Sequence, residues 1–323
     1  MALCTPHGGS AGKVLDERAP VVSRLRVAHD TFELSFGSPR IAAAARPGQF
    51  VNVLLPSAGF GYRVIESGDP PPRQLPALLR RPFSIYRACR DANGAPATID
   101  LLVKVVGRST RRLVGLEPGT EVQILGPLGN GFGMPPQGEA AVLVAGGCGW
   151  ASLGMLAREL RRRDHPTYAF IGAETVDALP FETAEADEVG ASVLDGLPRM
   201  CVTSRELEEL GVVVALAAEQ GGRVFGGFVT ELLDEFLRGR HVSHPHVYAC
   251  GPWGMLRHVA EFAHAVASPC QVALEERMGC GVGVCNSCVV DVFLPDGSTG
   301  HKKLCTDGPV LDAAEVDWEQ ERD

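Results

Sequence analysis

Two rhythms divide the chain. From about Val14 to Met134, apolar and polar residues alternate over short runs: VVSRLRV (Val21–Val27), TFELSF (Thr31–Phe36), QFVNVLL (Gln49–Leu55), FSIYRA (Phe83–Ala88), TIDLLVKVV (Thr98–Val106) and EVQIL (Glu121–Leu125). These runs are rich in β-branched and aromatic residues, and turns such as RPGQ, DANGAP and EPGT separate them. Short strands at this spacing predict an antiparallel barrel. The Gly/Pro-rich stretch Pro56 to Pro76 is expected to be a surface loop, and residues 1–13 a loose tail.

After Pro135-Pro136 the period changes. AAVLVAGG (Ala140–Gly147) reads as a buried strand running into a glycine turn, and ASLGMLARELRRR (Ala151–Arg163) as an amphipathic helix. Further strands are predicted at Tyr168–Ala173, Val212–Ala218 and His246–Gly251, with helices at Val229–Arg238 and Trp253–Ala267. Strand alternating with helix implies a parallel sheet of Rossmann type. The acidic stretch Glu174–Gly190 is expected as a loop or short helix at the surface.

The last stretch breaks both rhythms. Leu274 to Pro309 carries Cys280, Cys285, Cys288 and Cys305, a C-x4-C-x2-C followed by a distant fourth cysteine. That is the plant-type spacing for a [2Fe–2S] cluster, with Gly279, Gly281 and Gly283 interleaved where a tight loop must bring backbone N–H groups toward sulfur. Three plainer readings compete. A structural zinc site more often shows two C-x2-C knuckles, and only one is present here. A thioredoxin-like Cys285–Cys288 pair needs neither Cys280 nor Cys305. Disulfides require an oxidising compartment, and MALCTPHGGSAGKVLDER lacks the apolar core of an export signal. The cluster reading uses all four cysteines. Cys4, Cys89 and Cys201 fit no pattern.

Composition narrows the field further. With 323 residues the chain is expected to hold two or three domains, and a formal charge of −9 argues against a nucleic-acid partner. No run of 18 apolar residues exists to cross a membrane, and ten cysteines without an export signal make a reducing cytoplasm the expected location.

Other motifs carry candidate chemistry. Arg81-Pro82-Phe83-Ser84 opens a barrel strand, where an arginine can pair with a flavin pyrophosphate and the backbone can meet the ring edge; its plainer reading is an ordinary Arg-Pro strand start. Gly107, Ser109 and Thr110 open a short helix suited to phosphate. ILGPLGNGF (Ile124–Phe132) forms a tight connection to the next domain. Gly146-Gly147-Cys148-Gly149 lies between strand and helix, where a dinucleotide pyrophosphate would sit, although Ser152 replaces the last glycine of the fingerprint; a plain tight turn fits equally. Cys250-Gly251-Pro252 ends a strand at the carboxyl edge of the sheet, which places Cys250 as a candidate catalytic residue beside a nicotinamide, or else as a buried small hydrophobe. Histidines 244, 246, 258 and 264 lack ligand spacing and are read as structural.

Taken in order, RPFS, G-x-S-T, GPLGNGF, AGGCG, CGP and C-x4-C-x2-C…C resemble the ferredoxin-reductase superfamily. Within it, LEERMGCGVGVCNSCVV with LCTDGPV resembles the electron-transfer subunits of NAD-dependent (class B) dihydroorotate dehydrogenases, over roughly residues 14–318. The resemblance implies an FAD-binding β-barrel over 14–136, a Rossmann-like NAD-binding α/β domain over 137–268 and a small [2Fe–2S] domain over 269–323. It places FAD contacts on Arg81–Ser84, on Leu102, Val103 and Lys104, and on Ser109 and Thr110. It places cluster ligands on Cys280, Cys285, Cys288 and Cys305, while the turn and sheet-edge positions read above give NAD contacts at Gly146, Gly147, Gly149, Gly251 and Pro252.

Several positions depart from the family pattern: Ser109 stands for a glycine, Cys148 and Trp150 for aliphatic residues, and Glu219-Gln220 for paired acids. The longer Cys288–Cys305 gap implies an extended hairpin around Asp296-Gly297. The implied function is to carry electrons from FMN in a separate catalytic subunit, through [2Fe–2S] and FAD, to NAD+ in pyrimidine (UMP) biosynthesis. The implied assembly is a heterotetramer of two of each subunit. Alternatives are a subunit of an NAD(P)H–ferredoxin or sulfide-type oxidoreductase, and a zinc-stabilised flavin-binding or regulatory module.

Overall fold

The computed structural model describes residues 14–56, 79–191, 197, 200–239, 242 and 244–320. The expected tail at 1–13 lies outside these residues, as does all of the expected Pro56 to Pro76 loop except Pro56.

All six predicted barrel strands form: β1 (Leu15–Arg26), β2 (Thr31–Gly37), β3 (Phe50–Leu54), β4 (Arg81–Arg90), β5 (Pro96–Lys104) and β6 (Glu121–Leu128). They close in the order β1-β2-β5-β4-β3-β6, every pair antiparallel. Alternation sends Leu34, Phe36, Val51, Val53, Ile85, Ile99, Leu101 and Ile124 inward, where all are buried. Two short helices, α1 (Pro39–Ala44) and α2 (Arg108–Val114), interrupt the strands. Only the opening of α2 was marked in the sequence.

The second region begins with β7 (Ala141–Gly146), α3 (Trp150–Arg162) and β8 (Thr167–Ala173). The acidic stretch after β8 departs from the surface expectation. It contains β9 (Ala184–Glu185) and α4 (Ala186–Val189), and it buries Leu179 and Phe181 in the core on the α3 side. Two apolar residues among the acids are enough to pin the segment down. The chain continues through β10 (Val202–Thr203), which pairs with β9, then α5 (Arg205–Glu209), β11 (Val213–Ala218), β12 (Phe225–Gly226), α6 (Val229–Arg238), β13 (His246–Cys250) and α7 (Trp253–Ala265).

The main sheet has seven strands in the order β12-β11-β8-β7-β13-β14-β17, where β14 is Cys270–Ala273 and β17 is Val310–Asp312. All neighbours are parallel except the final antiparallel pair β14–β17. Both faces of β7 are covered, which is why it reads as continuously apolar. Ala141, Leu143 and Ala145 join the core beneath α3, and Val142 and Val144 join the core beneath α6 and α7.

β14 and β17 lie in sequence beyond the expected 268/269 boundary, so the sheet reaches into the segment assigned to the cluster. Between them comes the hairpin of β15 (Val289–Phe293) and β16 (Thr299–Lys303), turning around Asp296-Gly297 as the long cysteine gap implied. Cys288, Val290, Val292, Leu304, Cys305, Leu311 and Val316 all pack into the core shared with α6, α7 and the outer barrel residues Phe50 and Leu128.

The glycine-rich ILGPLGNGF motif holds this third region in place. Asn130 Nδ2 donates to the carbonyls of Asp307 (3.1 Å) and Val310 (2.8 Å), while its Oδ1 accepts from the Val310 N–H (3.0 Å). The motif therefore ties the barrel exit to the cysteine-bearing segment as well as to the next domain. Asn130→Ala is expected to destabilise the protein by about 1.5–4.5 kcal/mol, because it removes three hydrogen bonds worth roughly 0.5–1.5 kcal/mol each. Denaturant unfolding of the cofactor-loaded chain measures this, and an unchanged midpoint would refute the role.

Candidate functional site

A cavity of about 520 Å³ opens between the barrel, the start of α3 and the segment after β14. It brings together Arg81, Pro82, Phe83 and Ser84 from β4, Leu102 and Lys104 from β5, and Gly107, Ser109 and Thr110 at α2. Val103 is the exception among the expected contacts. Strand alternation turns its side chain into the barrel core, where it is 1% exposed, so only its backbone faces the cavity side. The Thr110 hydroxyl is committed to closing the first turn of α2, since it accepts from the N–H groups of Val106 (3.0 Å) and Gly107 (3.1 Å). Cationic Arg81, Lys104 and Arg108 on the lining, opposite apolar Phe50, Phe83 and Leu274, fit a flat ring system carrying phosphates.

A second cavity of about 600 Å³ lies at the carboxyl ends of β7, β8, β11 and β13. This is the crevice where the strand order reverses, the usual dinucleotide position in an open α/β sheet. Gly146, Gly147 and Pro252 line it. Gly149 and Gly251 do not. Gly149 instead lets the β7–α3 turn close against β13, since a Cβ there would stand 2.1 Å from the Cys250 carbonyl oxygen. Lys104 and Cys148 line both cavities and so mark their junction. Burial raises the Cys148 thiol to a pKa of about 11.

Cys250 lines neither cavity. Its thiol is fully buried, which raises its pKa, and it donates to Ser152 Oγ at 3.4 Å. Ser152 Oγ lies 2.8 Å from Ser84 Oγ, and both serines line the first cavity. The expected catalytic position for Cys250 is therefore corrected to one hydrogen bond behind the wall, because Ser152 stands between the thiol and the open space.

In the cysteine loop, five backbone N–H groups point at sulfur. Those of Val282 (3.4 Å), Val284 (3.3 Å) and Cys285 (3.4 Å) donate to Cys280 Sγ, that of Cys280 to Cys285 Sγ (3.4 Å), and that of Gly283 to Cys305 Sγ (3.1 Å). Gly281 has φ +73°, a left-handed turn that a side chain would strain. The N–H groups from Val282 and Cys285 hold the Cys280 thiol below its ordinary range, and the Ser287 hydroxyl brings Cys285 to about 6. Burial pushes Cys305 up to about 12.

Among the described residues no three His, Cys, Asp or Glu side chains converge as one ion requires. The Cys280 thiol meets that of Cys285, and the Cys305 thiol meets that of Cys288 with Cys280 also near it. Two thiolates for each of two irons is the arrangement of a [2Fe–2S] cluster, whereas a structural zinc wants four ligands about one centre.

Apart from Glu219, already marked as standing where the family has paired acids, several residues at these sites escaped the sequence. Glu275 lines the first cavity, and partial desolvation there raises its pKa. Glu174 and Glu219 stand at the ends of β8 and β11 on the second cavity, and His258, read as structural, also lines it while contacting Asp234 at 3.2 Å. His246 meets Glu139 at 2.8 Å. An acidic residue just past an apolar strand was the available signal for all three glutamates.

Comparison with known proteins agrees with this geometry. Residues 275–317 match the family described as the iron-sulfur cluster binding domain of dihydroorotate dehydrogenase B. The dihydroorotate dehydrogenase B (NAD(+)) electron transfer subunit of Desulforamulus reducens is 33% identical over 307 residues, covering 95% of this chain and 99% of its own. That of Bacillus caldolyticus is 35% identical over 302 residues, covering 93% and 98%. Among solved structures, an NADH-dependent reduced ferredoxin-NADP oxidoreductase superposes with a TM-score of 0.68 at 25% identity, over 93% of this chain and 90% of that one. With relatives of this identity matched over nearly their whole length, the chain belongs to the family of dihydroorotate dehydrogenase B (NAD(+)) electron transfer subunits.

Proposed function

We propose that this chain carries electrons from an FMN-containing subunit that oxidises dihydroorotate to NAD+, in the cytoplasm, as half of a complex with two copies of each subunit. The observation that carries the reading is the contiguity of three sites. The cysteine loop rests on barrel strand β3 at Asn52, Phe50 two residues away lines the first cavity, and that cavity meets the second at Lys104 and Cys148. A reducing location suits the nine described cysteines, none of which is in a disulfide.

When bound, the iron–sulfur cluster supplies one-electron transfer and FAD the interconversion of single electrons with a hydride. The chain's own residues do the rest. Cys280, Cys285, Cys288 and Cys305 hold the cluster, and the loop N–H groups bear on the ligand sulfurs that tune it. Arg81, Lys104 and the N–H groups at Gly107–Ser109 hold the phosphates of FAD, with Phe83 and Leu102 against its apolar parts. Gly146, Gly147 and Pro252 shape the nicotinamide dinucleotide site. Glu174 and Glu219 face the region where a 2′-phosphate would bring two like charges together, which favours NAD over NADP.

The partner side is the exposed edge of the cysteine loop. Val282 and Val284 are 46% and 77% exposed beside Cys280 and Cys285, and Phe293 and Leu294 are open on the hairpin. Apolar side chains in that setting suit a protein interface. Among the described residues no helix is long and apolar enough to cross a membrane.

Purifying the native complex tests the assignment. A co-eluting FMN protein that reduces NAD+ with dihydroorotate is expected; co-elution with ferredoxin activity and no dihydroorotate oxidation would overturn it in favour of a ferredoxin-linked reductase. Cys285→Ser is expected to lose most of its iron and its absorbance beyond about 500 nm while retaining stoichiometric FAD, because the ligand lies outside the flavin cavity. Equal loss of flavin and iron would contradict the separation of the two sites. Glu219→Ser is expected to narrow the preference for NADH over NADPH by about tenfold, equivalent to about 1.4 kcal/mol of relieved repulsion. Steady-state kinetics with both nucleotides reads this out, and an unchanged ratio would remove Glu219 from the specificity site.

A further inference from the structure

Asn52 is a buried amide with an unusual neighbour. It lies on β3, where Val51 and Val53 point into the barrel core, so alternation turns Phe50 and Asn52 outward. An outward polar residue on a barrel would ordinarily be wet. Asn52 is 1% exposed, because the cysteine loop covers it. Its Nδ2 lies 3.4 Å from the Cys280 carbonyl oxygen, a long hydrogen bond. The backbone of Gly281 sits directly on the amide, so that a Cβ at Gly281 would fall 2.0 Å from Nδ2. The Asn52 carbonyl is itself held by Arg80 (3.3 Å), which is fastened to Asp16 by two bonds of 2.9 and 3.0 Å.

The loop side of this contact is the turn that matters most. Cys280 and Gly281 precede Val282, whose N–H donates to Cys280 Sγ, and the same sulfur also receives the N–H groups of Val284 and Cys285. The direction of those groups follows from the left-handed conformation of Gly281 and from the orientation of the Cys280 peptide. Asn52 touches both. We propose that Asn52 is a positioning residue of the iron–sulfur centre: a barrel side chain that fixes the Cys280–Gly281 turn and thereby the hydrogen bonding to the first ligand sulfur. The inference rests on the reading of Cys280 as a cluster ligand and assigns a new role to a residue outside the cysteine segment.

The expected consequence has a direction. Backbone N–H groups on a ligand sulfur favour the more negative, reduced cluster, so loosening them lowers its midpoint potential. Asn52→Leu keeps the volume and removes the donor. Asn52→Asp keeps the shape and sets an acceptor against the Cys280 carbonyl. The two variants are compared with the wild-type full chain by iron and FAD content, by the electron paramagnetic resonance spectrum of the dithionite-reduced protein, and by potentiometric titration. Both variants are expected to retain FAD, to show an altered spectrum of the reduced cluster, and to titrate at a lower cluster potential with the flavin potential unmoved. If Leu prevents folding, Asp supplies the comparison. A wild-type spectrum and potential in a folded variant would overturn the role of Asn52. Absence of iron from the wild-type chain would instead overturn the underlying cluster reading.

Discussion

Some fifty residues around four cysteines cannot bury enough apolar surface to fold alone. That constraint shapes the whole molecule. Cys288, Cys305 and the hairpin residues Val290 and Val292 are packed in a core that also holds α6, α7, Phe50 and Leu128. The cysteine loop is therefore ordered by the two larger regions, and its position relative to both cavities follows from the same packing that makes it stable. Electron transfer depends on the separation of donor and acceptor, so a shared core fixes a functional quantity while it supplies stability.

The two cavities show a similar economy. Lys104 ends β5 and Cys148 begins the turn into α3, and each belongs to a different half of the molecule, yet both border both spaces. The β4–α3 seam brings Ser84 and Ser152 within 2.8 Å of each other and leaves Cys250 behind them. Burial at this seam raises the pKa of the Cys148 thiol.

The strands were legible because their period was clean: all six barrel runs and the four α/β strands fall where alternation or continuous apolarity put them. The cysteine spacing was legible because metal ligation constrains sequence distance. What could not be read was anything set by distant residues meeting. Nothing in QFVNVLL marks Asn52 as different from any outward strand residue until the loop some 230 positions later lands on it. GPLGNGF promised a tight turn, but the partner of Asn130 is Asp307–Val310. The Val103 side chain faces the barrel core for a simpler reason: three consecutive strand residues cannot all point one way. Leu179 and Phe181 were hidden by their acidic surroundings.

The antiparallel closure of β14 on β17 has a mechanical meaning. Ala273 pairs with Val310, and the Leu274 N–H donates to the Pro309 carbonyl at 2.9 Å, so the whole cysteine segment leaves and re-enters one sheet through a single closed doorway. A module carried on one strand end can swing; one stitched at both ends beside each other, and pinned by Asn52 and Asn130, has no hinge about which to travel. The separation between loop and barrel is then set by the packing of the sheet, without a tethered carrier that must travel between them.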